Sequence, residues 1–514
     1  MNGAESLVQT LVKGGVDTCF ANPGTSEMHF VAALDRVGGM RCVLTLFEGV
    51  ASGAADGYGR MTDKPAATLL HLGPGLGNAL ANLHNARKAR TPLVNIVGDH
   101  AVHHRSYDAP LTSDVEGVAR PMSDWVRTST DARYVADDGA DAVAAALSAP
   151  GGVATLILPA DTAWNDATGV AAPRPVKPAG IVDAAAVSAA AKALRSGEPT
   201  LIFLGGRALR AAPLDVASRI AAATGAKLLA PSSNPRMERG AGRAPIRRLP
   251  YPLQLALQEL SAFKHIILVG VQQPVAFFAY PGMPSLIAPP GSSTHVLASP
   301  AEDCVDALAR LASELNAPGR AALVPPQAPA ALPAGKITVE SIGAAIAALI
   351  PEGAIVVDEG ISCGRAIYPA SFSAPPHDWL QLNGGSIGIG MPLATGAAIA
   401  CPGRKVISLQ ADGSGMYTLQ ALWTQARETL DVTTIIFSNR SYASLEGELI
   451  NVGALNPGKT ARAMLDIGSP DLDWVKLAGG MGVEGARAET AERLIDLLQA
   501  SLRRSGPFLI EVMV

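Results

Sequence analysis

The chain has 514 residues, 48% of them apolar and 17% charged, which is too long for one core and too apolar for a disordered chain. Its net charge of −4 comes with scattered lysines and arginines, which excludes a nucleic-acid or anionic-membrane surface as the main partner and leaves small-molecule chemistry. The five cysteines, Cys19, Cys42, Cys304, Cys363 and Cys401, form no CxxC pair and fit reduced thiols rather than a disulfide frame or a zinc site.

The N-terminal stretch MNGAESLVQTLVKGGVDTCF carries polar residues at helical intervals and lacks a basic start followed by an apolar run, so no signal peptide is expected. No apolar run reaches membrane-spanning length, and a soluble cytoplasmic protein is expected. Strand-like runs then alternate with Ala-rich helical stretches: TLLHL, PLVNIVGD, ATLILP, PTLIFLGG, KHIILVGV, GAIVVDEG, RKVISLQADG, TTIIFSN and PFLIEVMV. Short apolar runs ending in Gly, Asp or Asn, with helices between them, predict parallel sheets covered on both faces and therefore an α/β protein. Pro- and Ala-rich stretches at residues 172–179 and 324–335 read as linkers and divide the chain into domains 1–168, 180–325 and 336–514.

Within the first domain, LTLFEGVASGAADGYGR (residues 44–60) places one carboxylate, Glu48, among small and apolar residues at the head of a helix. Burying an unpaired carboxylate is costly, so Glu48 is expected to hold a proton, find a donor or act chemically; the plainer alternative is a helix-capping glutamate.

In the third domain a strand runs into Asp412-Gly413-Ser414-Gly415, and a second strand ends at Asn439-Arg440-Ser441. In a parallel sheet both ends fall on the ligand-binding edge, where two hard oxygen ligands and a backbone carbonyl suit Mg²⁺. Gly413 and Gly415 let the backbone approach a phosphate at a helix N-terminus, although DGSG alone is also an ordinary turn.

The motif from Asp412 to Asn439, 439 − 412 = 27 positions, resembles the signature of thiamine-diphosphate (ThDP) enzymes, with Ala411 in place of its first glycine. The resemblance implies three doubly wound parallel-sheet domains that bind pyrimidine, bridge, and bind diphosphate. It implies Mg²⁺ on Asp412, Asn439 and the Ser441 carbonyl, with Gly413 and Ser414 at the diphosphate. It also implies that the turn NGGSIGIG offers the Gly385 carbonyl to the aminopyrimidine and the Ile387 side chain as a prop. Glu48 then matches the glutamate that polarises the pyrimidine, in a helix start whose small residues Gly49, Ala51, Ser52 and Gly53 admit a flat ring, with Gly75 and Asn78 flanking it. In this family the glutamate of one subunit serves a cofactor anchored by another, so a homodimer at minimum is expected, commonly a homotetramer.

Among such enzymes the pattern is most similar to benzoylformate decarboxylases and acetolactate-synthase-like large subunits. Thr25 or Ser26 then matches a substrate-carboxylate serine and His71 a catalytic histidine, while Ala279 stands where a second histidine is expected. His103 and His104 are either a proton-handling pair or part of a solvated loop. Leu445, Glu446 and Glu448 are expected to line or close the pocket. PTLIFLGGRALRAA lacks GxGxxG, so no FAD is expected. The expected activity is decarboxylation of a 2-oxo acid or carboligation with an aldehyde. The alternatives are an acetolactate-synthase-like transferase and a non-catalytic cofactor-binding paralogue.

Overall fold

A computed structural model describes residues 1–325 and 331–514, so part of the predicted second linker lies outside the described residues. The described chain builds three α/β sheets. The first holds β1 (Thr18–Asn22), β2 (Arg41–Leu44), β3 (Ala66–Leu70), β4 (Leu93–Asp99), β5 (Trp125–Thr128) and β6 (Val153–Pro159) in the order β2-β1-β3-β4-β6-β5, all parallel. The second and third draw on β7 (Thr200–Leu204), β8 (Lys227–Ala230), β9 (Met237–Arg239), β10 (Arg247–Arg248), β11 (His265–Val269) and β12 (Ser293–Ala298). The third also contains β13 (Ile355–Glu359), β14 (His377–Gln381), β15 (Val406–Ala411), β16 (Val432–Ser438), β17 (Glu484–Ala488) and β18 (Phe508–Met513). The second sheet runs β10-β8-β7-β11-β12 and the third β17-β18-β16-β15-β13-β14-β9.

All nine predicted strand runs form strands. Those that read as unbroken apolar runs, such as LVNIVGD and VTTIIFS, are buried at every position because helices cover both faces of the sheet. Less apolar strands are the ones that periodicity passes over, such as β8, β12 and β17. One strand crosses a predicted boundary: β9, from the second segment, pairs antiparallel with β14 and extends the third sheet. Its Arg239 is buried, with the guanidinium 3.7 Å from the Tyr368 ring centroid. Residues 172–179 run without helix or strand and are almost wholly exposed.

The helix Glu48–Thr62 is buried from Glu48 through Met61 and lies between the helix Leu72–Ala89 and the helix Gly390–Ala400. Its small residues serve this packing within the chain. A Cβ on Gly53 would lie 2.6 Å from Pro392 Cβ, one on Gly49 2.5 Å from Phe47 Cε1, and Ser52 Oγ donates to the Ala79 carbonyl at 3.1 Å. From the other side, a Cβ on Gly396 would overlap the Ala54 carbonyl oxygen. Asp56 and Arg60, both buried, pair with each other at 2.5 Å, and Arg60 also donates to the Gln381 carbonyl at 2.7 Å, tying the first domain to the third. Because the two helix backbones touch, Gly396→Ala is expected to cost about 1–3 kcal/mol; chemical denaturation of the apo protein checks this, with Gly479→Ala as the control because its Cβ meets nothing within 4 Å.

Candidate active site

Glu48 opens its helix directly after Phe47 and is 7% exposed. Asn78 Nδ2 donates to Glu48 Oε2 at 2.9 Å, and a Cβ on Gly75 would lie 3.1 Å from Oε1. The carboxylate therefore sits against Gly75 and Asn78, the two residues expected to flank the pyrimidine. Among the described residues it has no ion pair, because Arg60 is committed to Asp56.

At the same end of the first sheet, where β1, β3 and β4 stop side by side, His71 Nδ1 lies 2.8 Å from Glu27 Oε2. Glu27 is buried and also accepts from the Gly24 N–H at 2.7 Å. Burial pushes its carboxyl above the usual range, while the imidazole and the Gly24 amide pull it back. Glycines make room for the pair: a Cβ on Gly24 would overlap the His71 ring, and one on Gly98 would overlap Glu27 Oε1. Leu72, next to His71, holds a left-handed φ of 50°, a costly conformation for a bulky residue. Thr25, exposed, and Ser26, half-buried, start the short turn that ends at Glu27.

Sequence reasoning passed over Glu27. Its available signal was an acidic residue three places after Gly24, the spacing that lets a side chain return to its own turn.

His103 and His104 are exposed on the turn Val102–Tyr107. His103 Nδ1 lies 3.5 Å from Asp161 Oδ2, and the His104 ring packs between His100 and Tyr107, with centroids 5.3 and 6.0 Å away. The same loop is anchored by Arg105 to Asp99 at 2.7 Å.

In the third domain, Asp412 and Asn439 stand at the ends of the neighbouring strands β15 and β16. Asp412 is buried and accepts the Gly413 N–H at 2.8 Å and the Arg440 N–H at 2.7 Å; Arg440 has a φ of 57°. Burial pushes the Asp412 carboxyl up, and backbone donors oppose that. Asn439 Oδ1 accepts from the Ser441 N–H at 3.2 Å. Ser414 Oγ receives a bond from Gln410 Nε2 at 2.5 Å.

The glycine turn lies at the end of β14. Gly385 has a φ of 82°, and a Cβ there would lie 2.7 Å from Phe277 Cζ; Ile387 is half-buried in the same turn. Phe277 belongs to the loop that carries Ala279 and Tyr280, and the Tyr280 hydroxyl donates to Glu448 at 2.9 Å. Leu445 and Glu446 are exposed on the same helix, Ala443–Asn451.

Within one chain the two halves are offset. The residues that touch the glycine turn from the helix Leu72–Ala89 are His84, at 3.0 Å from the Gly384 carbonyl, and Asn85, at 2.8 Å from the Ser386 carbonyl. Glu48 instead meets Asn78, seven residues earlier on that helix, or about 10 Å along its axis at ~1.5 Å per residue.

The N-terminal TPP binding domain of thiamine pyrophosphate enzymes matches residues 1–120, and the C-terminal TPP binding domain matches residues 363–512. The chain belongs to the thiamine pyrophosphate enzyme family. It is 53% identical over 100% of its length to a protein of Mycobacterium tuberculosis called putative acetolactate synthase large subunit IlvX, covering 99% of that protein. It is 29% identical to benzoylformate decarboxylase of Pseudomonas aeruginosa, over 98% of this chain and 97% of that one. Among solved structures, the ThDP-dependent 4-hydroxybenzoylformate decarboxylase of Rhodococcus jostii superposes with a TM-score of 0.84 at 25% identity, covering 100% and 99% of the two chains.

The residues present suit the family's cofactor. Asp412 is a buried carboxylate without an ion pair among the described residues, beside an amide oxygen, and Gly413 and Gly385 keep backbone open where a Cβ would strike Tyr442 or Phe277. Because Gly98 leaves room for the Glu27 carboxylate, Gly98→Ala and Glu27→Gln are each expected to lower the kcat of the ThDP-loaded enzyme by about 10–100-fold. Steady-state kinetics check this; wild-type kcat in Gly98→Ala would contradict the role of the pair.

Proposed function

We propose that this thiamine-family enzyme is a Mg²⁺-dependent 2-oxo acid decarboxylase or carboligase whose site forms between two copies of the chain. The observation that carries the reading is Glu48, a buried carboxylate with an amide donor and, among the described residues, no cation partner.

ThDP supplies, when bound, an acidic carbon that becomes the nucleophile and an electron sink for the bond to the departing carboxylate. Glu48 exchanges a proton at its carboxylate with the pyrimidine side of the cofactor, and Asn78 fixes which oxygen does so. Asp412, Asn439 and the Ser441 carbonyl hold Mg²⁺ against the diphosphate, with Gly413 and Ser414 beside them. Glu27 engages His71 Nδ1 and leaves Nε2 to move the substrate-side proton. Thr25 or Ser26 receives the substrate carboxylate. Tyr280, held by Glu448, belongs to the loop that roofs the glycine turn from the side where Ala279 leaves no histidine.

The relative named as an acetolactate synthase, at 53% identity, favours a second reading in which two 2-oxo acids are condensed. A substrate screen scored separately for CO₂, aldehyde and hydroxyketone separates the two; pyruvate alone giving acetolactate without acetaldehyde decides for condensation. For either product, Glu48→Gln is expected to lower kcat about 10²–10⁴-fold with the fold retained, and Asp412→Ala to abolish Mg²⁺-dependent retention of ThDP on gel filtration. Full turnover in Glu48→Gln would refute the reading.

A further inference from the structure

We propose that Glu359 is a positioning residue that locks the glycine turn at residues 384–390 to the Asp412 turn and so sets the spacing between the two parts of the cofactor site. The proposal rests on the thiamine reading of those turns.

Glu359 is the last residue of β13, in register with Gln410 on β15, and is 1% exposed. Its carboxylate accepts the Gly388 N–H at 2.6 Å, the Gly390 N–H at 2.6 Å and Gln410 Nε2 at 2.9 Å. The same Gln410 nitrogen donates to Ser414 Oγ at 2.5 Å, inside the turn that carries Asp412. One carboxylate thus joins the glycine turn directly and the Asp412 turn through a single amide. A second tie runs in parallel: Thr418 Oγ1 donates to the Gly388 carbonyl at 2.7 Å.

Among the described residues no cation pairs with Glu359, and burial pushes its carboxyl up against the pull of its donors. An anion held in the core by N–H groups alone is costly to keep, and an apolar side chain could fill the same space. Two conformational constraints accompany it. Gly388 has a φ of 94°, with Tyr417 Cβ 2.5 Å from where its own Cβ would stand, and Ile361, two residues after Glu359, has a φ of 45°. Strain of this kind at a β-branched residue marks a segment held in place by its surroundings.

A glutamine at this position keeps the shape but turns an NH₂ toward an N–H donor, so one of the three bonds becomes a repulsion. A merely structural role, capping the helix Gly390–Ala400, would lower the stability of the apo protein and leave cofactor affinity alone.

The test measures ThDP affinity with saturating Mg²⁺ by tryptophan fluorescence, together with thermal unfolding of the apo protein, for wild type, Glu359→Gln and Gln410→Met. Gln410→Met removes the amide that bridges Glu359 to Ser414 and leaves the Gly388 and Gly390 N–H bonds to Glu359 in place. The expected result is a Kd for ThDP raised about 10–100-fold in Glu359→Gln and at least about threefold in Gln410→Met. Wild-type affinity in folded Glu359→Gln overturns the proposal; if that variant fails to fold, wild-type affinity in Gln410→Met overturns it. A wild-type protein that does not bind ThDP at all overturns the thiamine reading and this proposal with it, a result distinct from tight binding by the variants.

Discussion

The fold is arranged around one buried carboxylate. Glu48 lies at the head of a helix that is itself enclosed, between a helix of its own domain and a helix of the third, and is 7% exposed. An isolated anion in such a place is expensive, and a single amide bond from Asn78 offsets only part of that cost. The neighbouring charges do not help, because Asp56 and Arg60 satisfy each other two turns away. What remains is a group whose charge is worth burying only if something arrives to share its proton.

Two further buried glutamates show the same economy of placement in different uses. Glu27 has an imidazole as its partner and orients it, in space cleared by Gly24 and Gly98. Glu359 has only N–H donors and lies between two turns. All three stand at or just beyond the C-terminal ends of parallel strands, or at the head of a helix that follows one, where backbone N–H groups point out of the sheet and stabilise negative charge. The topology therefore supplies the setting, and the identity of each carboxylate's partner decides its role.

Much of this was legible in the amino-acid order. The central strands announce themselves because a parallel sheet covered on both faces requires unbroken apolar runs, and Asp412, Asn439 and Glu48 stand out as polar residues at their ends. The family resemblance picks out Gly75 and Asn78 as residues beside a pyrimidine, and the structure places both against Glu48. Glu27 and Glu359 were not legible, because one is an acid in a polar turn and the other ends a strand directly after Asp358, and what distinguishes each is a partner 44 or 51 positions away in sequence. The strand β9 was hidden for a similar reason: three residues carry no periodicity, and their place in the third sheet is set by pairing with β14 and by the stacking of Arg239 on Tyr368. The small residues after Glu48 have a second use that residue type alone does not reveal, the packing of that helix across the domain boundary.

The account's central claim is that Glu48 of one copy completes the site whose metal turn belongs to another. Subunit mixing tests it directly: Glu48→Gln and Asp412→Ala proteins, each inactive alone, are dissociated, combined in equal amounts and reassociated. If the site is shared, half of the dimers are mixed and each has one intact site, so activity returns to about a quarter of the wild-type value. No recovery despite proven formation of mixed dimers would place both residues in a site made by a single chain and contradict the account.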